Sequence, residues 1–273
     1  MATESTPQEN ARAICEALLA ADRSDKIEKA ILPSEVEVID RLLARGLELN
    51  EAYEEIFNKL HEHPHALSVF FDLLQSTAAF WSPEANIEAR EGRNRLVEVN
   101  QAIQEKASEL ASLLNERTTL KNHSGFSCDT HYHPVDVIHA AAEQNYSYQS
   151  WVKEKLNALT SQFDLKYWPD LSEFAQVIAD DAARATPLPH DAVTDAGTEG
   201  KRAGLADTFK AFFVALEESS RRNHGFLPNA FELTDQSMAS LLSCALGLGP
   251  EKTVDSTYVK RLRQRQRERA RQP

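Results

Sequence analysis

Glycine is scarce, with nine residues in a chain of 273. A β-sandwich or barrel needs glycine at its many tight turns, so that class is disfavoured. Cysteine is scarcer still. Cys15, Cys128 and Cys244 stand far apart and odd in number. They imply no disulfide framework and fit a reducing compartment. Cys15 and Cys244 sit among apolar helical neighbours and read as small buried residues. Long apolar runs are also missing. The longest apolar zone, residues 66–81, is broken by Asp72, Gln75, Ser76 and Thr77. A membrane helix needs about 18 uninterrupted apolar residues. The first ten residues lack the basic flank and apolar centre of a secretory signal. The expectation is a cytoplasmic protein with no membrane partner.

Catalytic motifs are absent as well. There is no Gly-x-x-x-x-Gly-Lys-Ser/Thr phosphate loop and no Gly-x-Ser-x-Gly elbow. Gly247-Leu248-Gly249-Pro250 lacks the third glycine and the preceding strand of a dinucleotide fingerprint. Adjacent acids such as Asp180 and Asp181 diverge by about 100° on a helix and form no shared acid/base site. No residue is nominated as catalytic, and the reading leans away from an enzyme.

What remains is helical periodicity almost throughout. Thr6-Pro7 and Ser82-Pro83-Glu84 join a capping hydroxyl to a proline in the first turn. Ser24 reads as the start of a short helix that ends before Pro33. Ser34-Glu35-Val36-Glu37 has the form of a capping box. Asp170, Thr234 and Asp255 or Ser256 cap later helices. Trp151, Leu156, Leu159 and Phe163 recur at helical spacing and read as core. Tyr146, Tyr148 and Tyr167 are placed around a pocket beside the loop holding His131 and His133. Leu205, Phe209, Phe212, Phe213 and Leu216 form the sharpest amphipathic face.

The longest helical stretch runs over 83–121. Leu96, Ile103 and Leu110 recur every seven residues, with Val99 and Leu113 at the intermediate sites. That is a coiled-coil seam in outline, interrupted by Lys106 and Arg117. Such a seam packs against its own chain, docks a protein partner or self-associates. Residues 185–204 carry Pro187, Pro189, Gly197, Gly200 and Gly204 without apolar periodicity, and read as a linker or mobile loop. The expected architecture is an all-α multi-helix bundle with one long central helix and a smaller C-terminal helical part. Its parts are 1–184, the linker 185–204, and 205–273.

Charge is segregated. Residues 260–273 hold seven of the thirty Lys and Arg and a single acid, Glu268. The other 259 residues hold 23 bases against 41 acids. Arg261, Arg265 and Arg269 share one face of the terminal helix, and Arg263, Arg267 and Arg271 nearly the opposite one. Tyr258, Val259 and Leu262 are its only anchors, so the helix is expected to project beyond Leu262. The planar guanidinium fork suits phosphate. Lys260, Arg261, Arg263, Arg265, Arg267, Arg269 and Arg271 are therefore the expected nucleic-acid contacts. The acidic remainder would repel a long polyanion and limits contact to this arm. Residues 236–246 and the helix from 256 also suggest a loose helix-turn-helix, with a connection about twice the usual 3–4 residues.

Cys128, His131 and His133, with Asp129 between them, are the metal-type ligands and could hold zinc. Asp129-x-His131-x-His133 resembles the Asp-x-His-x-His segment of metal-dependent hydrolases of the amidohydrolase type. In those enzymes the segment ends a barrel strand, and no strand pattern surrounds it here. His61-Glu62-His63-Pro64-His65 reads as a helix–helix junction, because Pro64 cannot continue a helix. The leading function is a non-enzymatic interaction or adaptor protein. It would dock a protein partner through helix 83–121 and nucleic acid through the terminal helix. One alternative is a zinc-dependent hydrolase or zinc-stabilised protein centred on Cys128, His131 and His133. The other is an acidic protein that neutralises a basic partner.

Overall fold

Prolines open four of the helices. At the first helical position the missing N–H has no intrahelical partner to lose, and the fixed φ already suits the helix. The structure, a computed structural model, describes residues 7–200, 203–252 and 254–269, with the side chains of 7–9 and 269 left outside that description. In chain order the first helices are α1 (Pro7–Glu28), α2 (Pro33–Ala44), α3 (Asn50–Leu60), α4 (Ala66–Phe80) and the long α5 (Pro83–His123). Then come α6 (Pro134–Ala141), α7 (Tyr146–Trp151), α8 (Lys153–Gln162) and α9 (Leu171–Arg184). The last four are α10 (Ala192–Thr198), α11 (Leu205–Glu218), α12 (Asp235–Ala245) and α13 (Ser256–Arg269). No strand occurs among the described residues, so the fold is all-α with one long helix. No described helix is long and apolar enough to cross a membrane.

The caps explain most boundaries. Ser82 Oγ accepts from the Ala85 amide at 3.2 Å at the start of α5. Asp170 and Glu173 form a reciprocal capping box on α9. Thr234 accepts from Ser237 on α12, and Asp255 from the Tyr258 amide on α13. Two starts differ from expectation. α1 runs through Ser24 without a break. α2 begins at Pro33 after Leu32 in left-handed conformation (φ 49°), with no side-chain cap. Ser34 therefore lies inside the helix, where its hydroxyl cannot close the box.

Two compact units result. The first takes the described residues of Met1–Glu91 and Pro189–Pro273, the second Gly92–Leu188. The chain thus does not divide at 184 and 205. In the first unit, Tyr53 of α3, Phe70, Phe71 and Leu74 of α4, and Phe209 and Phe212 of α11 share one core with Leu241 of α12 and Val259 of α13. Phe70 sits edge-on to Phe71, Phe212 and Phe231, with ring centroids 5.5, 5.9 and 5.7 Å away. Each such aromatic contributes about 1.5–3 kcal/mol through burial. Local spacing revealed the apolar faces of α4 and α11 but could not show that they face each other.

The expected linker is also partly ordered as α10. A Cβ on Gly197 would stand 2.5 Å from the Trp81 ring, so this helix needs glycine to approach Trp81. The second unit is different in kind. Its buried apolar side chains among the described residues are Ala107, Ala111, Pro134, Val135, Tyr148, Ala175 and Ala179. Four of the seven are alanine, so little of its larger apolar surface is removed from water. The expected aromatic core is not there. Trp151 is 72% exposed, Leu159 and Phe163 are also exposed, and α8 buries no residue.

Candidate docking groove and basic helix face

An open groove of about 630 Å³ runs along the second unit. One wall is α5, through Val99, Ala102, Ile103, Lys106, Ala107 and Leu110. The other is α9, through Leu171, Phe174, Ala175 and Ile178, with Val137 of α6 beside them. The seven-residue repeat builds the first wall, since residues seven apart return to nearly the same side of a helix. The spacing 171, 174, 175 and 178 builds the second. Sequence reading missed this second wall, although its i, i+3, i+4, i+7 pattern was present. The walls are uncovered: Leu110 is 50% exposed, Phe174 44% and Ile178 55%. Arg95, Glu98 and Lys106 give the groove a polar rim.

The basic helix is seated more deeply than expected. Val259 and Leu262 are buried, as anticipated. Arg263, expected to face phosphate, instead lies over the Phe213 ring at 5.4 Å. Its Nη1 donates to Asp235 at 2.8 Å and its Nη2 to the Leu233 carbonyl at 2.9 Å. Arg267 stands 3.6 Å from Glu232, in an exposed pair. Lys260, Arg261 and Arg265 are exposed and lie on the outer face. Arg269 ends the helix with its side chain outside the described residues, and Arg271 lies wholly outside them. The Tyr258 hydroxyl is pushed above its ordinary pKa by burial, then by Asp207, against the opposing pull of Arg265. The helix therefore does not shed all contact at Leu262. The body's own carboxylates hold Arg263 and approach Arg267.

Cys128, His131 and His133 do not converge. Among the described residues, no three His, Cys, Asp or Glu side chains gather as metal ligands. Cys128 and His131 are exposed. His133 caps α6, its Nδ1 accepting from the Val135 amide at 3.1 Å, and its ring lies 5.1 Å from that of Trp168. His139 is held by Tyr148 Oη and Asn157 Oδ1, each at 2.7 Å. A cavity beside this loop is lined by Arg117, His131, Tyr132 and Asp136, and not by Tyr146, Tyr148 or Tyr167. At the other histidine cluster the chain turns between α3 and α4, with His65 left-handed (φ 63°) against Phe226.

Two buried ionic groups hold the first unit together. Arg90 donates to Asp207 at 2.6 Å, with both side chains buried. Lys26 meets Asp22, Glu35 and the Gln75 side chain. Burial alone would lower the Lys26 pKa, but its hydrogen bonds to Asp22 and Glu35 outweigh that and raise it.

No family model, curated protein or solved structure that was compared matches the chain. The geometry of the groove and of the basic helix is therefore what a functional reading rests on.

Proposed function

We propose that the protein is a non-enzymatic helical adaptor. Its second unit docks a helical protein surface in the α5–α9 groove, and α13 contacts nucleic acid through its outer face. The observation that carries this reading is the groove. Two apolar walls stand uncovered on a unit whose own core is mostly alanine, and a helix laid between them would bury Leu110, Phe174 and Ile178. Nucleic-acid contact is supported by Lys260, Arg261 and Arg265, three cations on one exposed helix face. Arg269 and Arg271 continue the run in sequence. Arg263 is assigned a structural part because Asp235 and Leu233 already satisfy it.

Deleting 260–273 is a poor test, since it removes Leu262 from the core along with the cations. The better variant replaces Lys260, Arg261 and Arg265 with Gln. Anisotropy of labelled RNA and DNA oligonucleotides should show tighter binding by the parent protein. The slope of log K against log salt should be steeper by about 2–3 for the parent, as three lost phosphate contacts require. Equal affinity and slope for parent and variant would remove the nucleic-acid part. For the groove, uptake of an apolar dye or of a helical partner should be lost in Phe174→Glu.

A further inference from the structure

The groove does not stop where its apolar lining ends. Leu114 of α5 and Leu171 of α9 line it, and both also line an adjoining cavity of about 410 Å³. There the lining changes to Arg117, Lys121, Asn122 and Ser172. All of these residues belong to the second unit. One surface therefore runs along α5, apolar from Val99 to Leu114 and basic beyond.

The cations are left over. Arg117 and Lys121 are half-buried, yet neither has a carboxylate within 4.0 Å among the described residues. Lys121 donates to Thr130 Oγ1 at 3.0 Å, and the Arg117 guanidinium makes no hydrogen bond among the described residues. The cavity also takes in the start of α9. The Leu171 and Ser172 amides open that helix, have no carbonyl one turn behind them, and find no partner. Ser172 is only 7% exposed, and its hydroxyl is unpartnered too. A shielded donor without a partner costs about 1–3 kcal/mol. The nearby acids are committed or too distant. Asp170 lines the cavity, but its carboxylate accepts from the Glu173 amide and closes the cap of α9. Asp129 and Asp136 line a neighbouring cavity with Arg117, and neither comes within ion-pair distance of it.

Two unpaired cations, a helix N-terminus and a free hydroxyl around one cavity are complementary to carboxylates. We infer that the groove takes an amphipathic helix whose C-terminal turn is acidic, and that this turn enters the cavity beside Arg117 and Lys121. This rests on the docking reading of the groove and names the chemistry and direction of its partner. The apolar stripe of that helix covers both walls, Ile103 and Leu110 on α5 and Phe174 and Ile178 on α9. Arg117 and Lys121 stand roughly 4.5 and 10.5 Å past Leu114 at about 1.5 Å per residue. The partner's acids therefore belong one to two turns beyond its last apolar residue. The carbonyl end of a helix is its negative end, so the C-terminal turn suits this cavity and the N-terminal turn does not. The partner then runs parallel to α5.

The test uses the full chain and fluorescein-labelled designed peptides. Each carries leucine at i, i+3, i+4 and i+7 spacing over about four turns. One ends in a C-terminal turn with two Glu, one has two Lys there, and one has its two Glu in the N-terminal turn. Anisotropy should show the first bound about tenfold more tightly than the second, since like charges meet in the Lys peptide. It should also bind more tightly than the third. Arg117→Gln with Lys121→Gln should bring the Glu and Lys peptides to within about twofold of each other, because the discriminating charges are gone. Ser172→Ala should narrow the gap in the same direction. Circular dichroism of each variant checks that its helices are intact.

Glu and Lys peptides bound equally overturn the proposal, as does a gap that survives in the double variant. Preference for Glu in the N-terminal turn overturns it as well. In each case binding abolished by Phe174→Glu would keep the groove as a docking site for a helix. A parent that binds none of the peptides ends both readings. Dodecanoate bound where no peptide is, and lost with the two cations, would assign the groove to an anionic lipid.

Discussion

The Arg263 guanidinium is shared between the Asp235 carboxylate at 2.8 Å and the Leu233 carbonyl at 2.9 Å, which ties α13 to the start of α12. Both side chains are largely shielded, at 16% and 27% exposure. The pair should contribute about 1–2 kcal/mol, as charge-assisted bonds in partly dry surroundings do. Asp235→Ala and Arg263→Ala should each lower stability by that amount in urea titrations. In a double-mutant cycle the two losses should fail to add, because they break one interaction. Strict additivity would show the contact to be incidental. Arg261→Ala, on the outer face, should leave stability within about 0.5 kcal/mol.

Arg90 and Asp207 form a drier pair. The Arg90 Nε and Nη1 have no protein partner, so its charge depends heavily on the one carboxylate. Asp207→Ala should cost about 3–5 kcal/mol, since it strands a buried cation. Arg90→Met with Asp207→Leu should recover most of that loss, because neither charge then needs solvation. If the double variant is as unstable as Asp207→Ala in thermal melts, packing and not charge is what the site supplies.

Asp72 gives a pH dependence of definite sign. Loss of hydration raises its pKa, and Asp22 and Glu35 raise it further against the pull of Lys26. A carboxyl raised in the folded state favours folding while protonated. That contribution is full below its ordinary range and is lost as pH climbs through the raised value. Asp72→Asn should therefore be more stable than the parent at about pH 7, and the gap should close toward about pH 4. The effect is small, because Asp72 keeps much of its surface in water. A gap that widens on acidification would reverse the assignment.

Thiol reactivity should separate the three cysteines. Burial pushes Cys15 up to about 12 and Cys244 to about 11, while Cys128 is exposed. The thiolate is the reactive form, so two of the three are silenced. One thiol per native chain should react promptly with a disulfide reagent near neutral pH, and Cys128→Ser should abolish it. Rapid reaction of a second thiol would mean that the first unit opens.

Much of this fold was legible because helix signals are local. The prolines at 7 and 83, the Asp170–Glu173 box and the Thr234 cap act within one turn, so their sequences carry them. The heptad on α5 was readable for the same reason. What faces what was not readable. Phe209 and Phe212 announce an apolar face, but nothing near them in sequence says that Phe70 covers it. Trp151 and Phe163 were misread because helical spacing predicts a face, not a neighbour, and the second unit leaves both exposed. Arg263 was misread because its partner, Asp235, lies 28 residues earlier on another helix. His133 and Cys128 look like ligands when written side by side. A ligand set needs convergence, and the chain instead uses His133 to cap α6.

Because the first unit is completed by segments on either side of the second, its order of manufacture differs from its order of assembly. A nascent chain presents Phe70, Phe71 and Leu74 long before Phe209, Phe212 and Val259 have been translated. While the inserted unit is made, those early helices have only one another to pack on, and the faces that α11, α12 and α13 cover stay bare. The interval is about 10–40 seconds at ordinary elongation rates, of about 5–20 residues each second. The core of the first unit is thus complete only once residues as late as Leu262 have been made. Premature stops anywhere upstream should yield aggregation-prone fragments, not a smaller working protein.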